Sequence, residues 1–197
     1  ILHTAAGRVG AMDVDATNAD GMKAVEAAEV VYNMGADEIE IDAGPFVIYQ
    51  GSHGDRGAHR ADIILPGAAY TEKEGTYVNT EGRVQRGRRA TFPPGDARED
   101  WSILRALSDV LGKTLPYDNL AQVRARMAEA APVLDQLDIV EASDWTGFGQ
   151  AGSMDDAAFA TPITNFYMTD PISRASATMA ACTESFAGTA EKTGTDG

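Results

Sequence analysis

Residues 46–112, FVIYQGSHGDRGAHRADIILPGAAYTEKEGTYVNTEGRVQRGRRATFPPGDAREDWSILRALSDVLG, decide how this 197-residue chain is read. Residues 46–50 are β-branched or aromatic apart from Gln50 and lie between Gly44-Pro45 and Gly51, which predicts a buried strand. Ile63 to Leu65 form a second apolar run, stopped by Pro66-Gly67. Upstream, residues 30–34 (VVYNM) form another, ending at Gly35 and preceded by a helix-like stretch over 22–28. Unbroken apolar strands suit a mostly parallel sheet covered by helices on both faces, because no strand face then has to meet water. The residues between Gln50 and Ala61 leave no room for a substantial helix. The expected class is therefore α/β, and this portion reads as the tail end of a Rossmann-like unit.

From Thr76 the pattern changes. Residues 76–79 and 83–85 flank Thr80-Glu81-Gly82, a hairpin loop with glycine where positive φ is needed. Pro93-Pro94-Gly95 breaks the chain. Asp96 with Glu99 three residues on gives a capping-box pattern, predicting a helix over 97–111 with Trp101, Leu104, Leu107 and Leu111 on one face and Gly112 as its stop. A second helix is expected from Asp118, burying Leu120, Val123 and Met127 and stopping before Pro132. Residues 142–160 are rich in Gly, Ser, Asp and Ala, with Trp145, Phe148 and Phe159 as isolated anchors, which suits an extended linker. Asp170-Pro171 announces a last helix over 172–181, and residues 184–197 are expected to fray.

The formal charge of -14 argues against non-specific nucleic-acid binding, which needs basic surface to neutralise phosphates. The charge is uneven: nine of the 16 basic residues fall between Arg56 and Arg105. Such asymmetry points to a solvated face or an intersubunit contact. No apolar run approaches the roughly 18 residues of a membrane span, and the start carries no signal-peptide pattern. The chain opens on Ile1 in mid-pattern, as expected of a processed or fragmentary chain. One cysteine, Cys182, allows neither an internal disulfide framework nor a cysteine-ligated cluster built from these residues alone.

Candidate chemistry is sparse. Gly51, Ser52, His53, Gly54 and Asp55, followed by Gly57, form a glycine loop after a strand, and backbone amides in such a loop can turn toward an anion. The GxxGxxG spacing is neither a dinucleotide fingerprint nor a Walker A loop, so a structural turn is the plainer reading. His3, His53 and His59 lack metal-ligand spacing, and no metal is assigned. No GxSxG occurs and Cys182 has no histidine near it in sequence, so a buried thiol on an alanine-rich helix is expected. The acids Asp37-Glu38, Glu72 and Glu74 read as exposed loop and turn carboxylates. Arg83, Arg86, Arg88 and Arg89 read as edge protection or intersubunit ion-pair partners.

The motifs ADIILPG, TEKEGTYVNTEGRVQ and PPGDAREDW resemble the molybdopterin-oxidoreductase superfamily. YQGSHGDRGAHRADIILPGAAYTEKEGTYVNTEGR, YDNLAQVRARM and NFYMTDPISRASATMAAC make the likeness nearest to the large iron–sulphur subunits of proton-pumping NADH:quinone oxidoreductase, respiratory complex I. The resemblance runs from about Ile1 to Cys182. It implies a molybdopterin-oxidoreductase-like α/β part over 1–115, a helical extension over 116–141 and an extended, partly helical tail over 142–197 that packs on its own subunit or a neighbour. It further implies scaffold work with no catalytic residue and no cofactor in this segment, the [2Fe–2S] and [4Fe–4S] clusters lying in an N-terminal region absent here. In the family the glycine loop faces the cleft where molybdenum enzymes hold their pterin, which makes Gly51 to Asp55 a vestigial loop. Asp62, Leu65-Pro66-Gly67, Asn79, Glu81-Gly82-Arg83 and Trp101 would be architectural. The implied enzyme passes electrons from NADH through FMN and iron–sulphur clusters to quinone. The implied partners are peripheral-arm subunits, including the NADH/FMN-binding one, on the cytoplasmic face of a bacterial inner membrane or the mitochondrial matrix side, with membrane contact only through the complex. The runner-up is part of an active, formate-dehydrogenase-like enzyme binding the pterin directly.

Overall fold

A computed structural model of the chain describes residues 5–142, 144, 146–147, 149, 151–154, 156–158, 163 and 165–187. Two short helices, α1 (Arg8–Asp13) and α2 (Met22–Glu26), lead into a parallel sheet of β1 (Val30–Met34), β2 (Phe46–Gly51) and β3 (Ile63–Pro66), in that spatial order. Asn33 lies opposite Tyr49, and Gln50 opposite Leu65. The central strand takes the burial, with Val47, Tyr49 and Gln50 all within 2% of complete. Its neighbours stay open: Val30 on β1 and Ile64 on β3 are more than half exposed. The apolar character of the outer strands therefore exceeds what the described residues cover, and the expected sheet buried on both faces holds for β2 alone.

Parallel strands need crossovers, and both here are tied by side chains. Arg60, at the end of the five-residue helix α3 (Arg56–Arg60), donates to the carbonyls of Ile41, Asp42 and Pro45, fixing the β1–β2 connection. Asp62 accepts from the Val47 amide at 2.8 Å and returns its own amide to the Val47 carbonyl. That pair sets where β2 begins relative to β3.

The hairpin of β4 (Gly75–Val78) and β5 (Val84–Gly87) forms as expected. Asn79 makes its loop: the side-chain oxygen accepts from the amides of Glu81 and Arg83, and Gly82 sits at φ +86. Val78 and Val84 bury one hairpin face with Ala131 and Leu134, and Val9, Met127 and Leu137 pack around them. This second core is separate from β2.

The helix after Pro93-Pro94 is a correction. It spans α4 (Asp100–Val110), not 97–111, and Asp96 does not cap it. Arg98 is drawn into extended structure beside β3 instead, its amide donating to the Pro66 carbonyl and its carbonyl accepting from Ala68 at 2.8 Å. A residue whose backbone groups serve a bridge cannot also open a helix. Glu99 takes the N-cap place without a side-chain cap bond, because its carboxylate accepts the Trp101 indole N–H at 2.6 Å. Of the apolar face expected on this helix, Trp101 is half-buried, and Leu111, like the neighbouring Val110, is exposed. Gly112, at φ +70, ends the helix as expected.

Helix α5 (Leu120–Ala130) is capped by Asn119, whose oxygen accepts from the Gln122 amide, and a 3-10 turn (Pro132–Asp135) follows. The last expected helix divides into α6 (Pro171–Arg174) and α7 (Ala177–Ala187). Asp170 and Ser173 close a full capping box on α6. Helix continues to Ala187, beyond the point where fraying was expected. Trp145, Phe148, Phe159 and His3 lie outside the described residues.

Candidate functional site

The carboxyl ends of β1 and β2 and the residues just past β3 converge on a cavity of about 770 Å³. That is where ligands sit in open α/β sheets, since all strands end on the same side there. Met34, Gly51, Ala68, Tyr70 and Tyr77 line it from the body, and Ile172 and Met179 line it from the tail. Gln50, Asp100 and Lys73 of its floor belong to a hydrogen-bonded chain that begins beneath it at Tyr32. Tyr32 donates to the Gln50 side-chain oxygen, the Gln50 amide donates to Asp100 Oδ1 at 2.7 Å, and Lys73 pairs with Asp100 Oδ2. Burial pushes the Tyr32 phenol above its ordinary value, and the Asp100 charge adds to the shift. Both carboxylate oxygens of Asp100 are thus spoken for by donors of this chain.

The glycine loop divides. Gly51 and Ser52 line the cavity, whereas His53 lines a smaller crevice with Glu72 and Asp96. Gly54 borders neither. Asp55 caps α3 by accepting from the Arg56 amide and is ion-paired with Arg174. Gly51 has a steric reason to be glycine: a Cβ there would lie 2.2 Å from the Tyr49 hydroxyl. Tyr49 uses that hydroxyl to donate to the His53 carbonyl at 2.8 Å, so strand and loop are stitched together.

Asp37 corrects the reading of Asp37-Glu38 as exposed carboxylates. It is fully buried, and neither carboxylate oxygen has a hydrogen-bond partner. Tyr49 stands beside it but commits its one proton to His53. Burial holds the Asp37 carboxyl above the usual range, against the neighbouring Tyr49 hydroxyl and the Arg174 charge, with the charges of Asp55 and Glu38 pushing the same way as burial. The Tyr49 phenol is raised in turn, by burial first and then by Asp37. Glu72 accepts from the Ala69 amide, and Glu74 pairs with Arg124 at 3.1 Å. Arg83 pairs with Glu81, and Arg86 with Asp135. Cys182 is half-buried on α7.

Reading the sequence missed the floor of the cavity and Arg174. Gln50 carried a usable signal, a polar residue inside an apolar strand. Asp100 and Lys73 carried none, because their meeting depends on where α4 packs.

The model of the family described as molybdopterin oxidoreductase matches residues 1–110, and the chain belongs to that family. A second family model, which describes the C-terminal region of an NADH-ubiquinone oxidoreductase component, matches residues 129–182. The chain is 47% identical to the mitochondrial NADH-ubiquinone oxidoreductase 78 kDa subunit of Candida albicans and 49% identical to that of Neurospora crassa, over 98% of its own length in each case. It is 44% identical to the 75 kDa subunit of Reclinomonas americana over 92% of its length. It spans little more than a quarter of each, 27% or 28% of those proteins.

The family name implies a pterin bearing phosphate. The described cavity does not fit one. Its one cationic lining residue, Lys73, is neutralised by Asp100, and Asp170 adds a second carboxylate to the lining. No group of three or more metal-ligating side chains occurs among the described residues.

Proposed function

We propose that this chain is the C-terminal region of the large iron–sulphur subunit of a proton-pumping NADH:quinone oxidoreductase, and that it serves there as scaffold. Near-complete alignment with three 75 or 78 kDa subunits supports the assignment. So does the succession, in one chain, of a molybdopterin-oxidoreductase part and a C-terminal part typical of NADH-ubiquinone oxidoreductase. The assembled enzyme would oxidise NADH and deliver the electrons through FMN and iron–sulphur clusters to quinone. This segment would contribute no catalytic residue. Its α/β part would be a Rossmann-like remnant over 1–115, extended helically over 116–141 and by a docking tail over 142–197.

The observation that carries the scaffold reading is internal saturation of the cavity floor. Tyr32, Gln50, Asp100 and Lys73 satisfy one another. A group that already donates to or neutralises a neighbour must break that contact to bind a ligand, and a buried polar group left unpaired costs roughly 1–3 kcal/mol. Gly51 to Asp55 would then act as a vestigial turn. The partners would be other peripheral-arm subunits, including the NADH/FMN-binding one. No described helix is long and apolar enough to cross a membrane, which is compatible with a peripheral place on the matrix or cytoplasmic side.

Elemental analysis of the purified full subunit tests this against the active-molybdoenzyme reading. Iron is expected from the clusters, with molybdenum and tungsten far below one atom per chain. Stoichiometric molybdenum or tungsten would reverse the assignment.

A further inference from the structure

Residues 165–187 hold together by their own contacts. Asn165 and Thr183 exchange hydrogen bonds at 3.1 and 3.3 Å, with Thr183 fully buried. Tyr167 stacks on Phe186 with ring centroids 5.9 Å apart, and Met168 is buried. Among the described residues, Arg174 at the end of α6 makes a long-range polar link from this unit to the sheet body. Its Nε donates to Asp55 Oδ2, 119 positions away in sequence, and its Nη2 stands 3.6 Å from Glu38. The Arg174 side chain is only 20% exposed, and that of Asp55 only 12%.

We propose that Asp55, Glu38 and Asp37 form a guanidinium socket on the sheet body, and that Arg174 is the peg that seats the 165–187 unit in it. A cluster of acids alone would mean little. This one has a second feature: Asp37 is fully buried with neither oxygen hydrogen-bonded, and Arg174 Nη2 is buried without a hydrogen bond too. Two like charges beside a buried carboxyl are unfavourable unless a cation stands among them, and a guanidinium is the weakly hydrated cation best suited to such a place. Asp55 is the principal partner, because its carboxylate touches the guanidinium directly. Asp37 contributes at a distance.

The peg has a consequence for the cavity. Pro171, Ile172 and Ser173 of α6 and Met179 of α7 form one of its walls. Seating through Arg174 therefore decides whether the cavity exists as an enclosed space or as an open sheet end. The glycine loop, which in sequence looks ready for an anion, has instead a cationic occupant supplied by its own chain. This inference concerns the chain's internal assembly and stands whether or not the subunit assignment does.

The test is hydrogen–deuterium exchange on the full chain for wild type, Arg174→Met and Asp55→Asn. Arg174→Met keeps the apolar stem and removes the charge. Amides of α6 and α7 are expected to exchange at least tenfold faster in both variants, with those of β2 and the hairpin unchanged. The rate at which a thiol reagent modifies Cys182, the chain's one cysteine, should rise in parallel. Arg174→Lys, retaining charge without the planar fork, should fall between. Exchange of α6 and α7 within twofold of wild type in Arg174→Met would overturn the proposal. So would equal acceleration in β2, which would show a general loss of fold in place of local unseating.

Discussion

A carboxyl group sealed from water favours its neutral form, and the fully buried Asp37 is such a group. Its proton affinity is higher in the folded chain than the unfolded value near 3.8, so the folded state binds the extra proton. Stability contributed by that proton is complete below the unfolded value. It is lost as pH rises through the higher, folded value, and is constant above it. Asp37→Asn removes the titration. The variant should gain stability relative to wild type as pH rises from about 3.8 through that window and hold the gain at neutral pH. Urea denaturation across pH 4 to 8 checks it, and a difference that shrinks as pH rises would refute the burial argument. Tyr49, Gly51 and Gly57 share this residue-scale packing: a Cβ on Gly57 would meet Asn33, Asp37 and Tyr49 all at 3.0 Å.

At the scale of elements, local chemistry and tertiary demand agree in some places and compete in others. The hairpin is a place of agreement. Asn79 accepts from two loop amides, Gly82 supplies the left-handed residue, and valines at Val78 and Val84 face the second core. Gly82→Ala meets no steric neighbour, so its cost is conformational alone. A loss of about 1 kcal/mol is expected, since a Cβ in the left-handed region costs that much. Chemical denaturation measures it, and a neutral result would place the turn's stability in Asn79 alone. The start of α4 is a place of competition. Asp96 and Glu99 have the spacing of a capping box, yet Arg98 is claimed by Pro66 and Ala68, and Glu99 by Trp101. The helix starts three residues late as a result. The break between α6 and α7 carries local signals: a capping box at Asp170 starts the four-residue helix that ends at Ala175, and the Ser176 hydroxyl accepts from the Met179 amide to begin the next.

At the scale of the molecule, two cores and a tail unit are joined by few long-range polar links. Asp62 ties β2 to β3, Arg98 ties α4's approach to β3, and Arg174 ties the tail to the sheet. Outward-facing apolar side chains on Val30, Ile64, Val110 and Leu111 are consistent with a larger host. On the proposed assignment, truncation after residue 141 should leave the sheet and hairpin folded while weakening incorporation into the NADH dehydrogenase assembly. Near-ultraviolet circular dichroism of the truncated chain and native gel analysis of the complex measure the two effects. Full assembly with normal NADH-to-quinone electron transfer would show that the tail is dispensable.

The strands, the hairpin loop, the stop at Gly112 and the second helix were legible from residue order, because each rests on contacts within a few residues or on a short apolar run bounded by turn residues. The motifs also carried the family. Which polar groups meet depends on packing instead: Gln50 with Asp100 across 50 positions, Asp55 with Arg174 across 119, and Asp37 sealed among the described residues without a hydrogen-bond partner in range. The reason is physical. Local rules follow from backbone geometry and solvation that every chain shares, whereas a buried polar contact between distant residues depends on how two elements dock, and nothing in the intervening sequence encodes that distance.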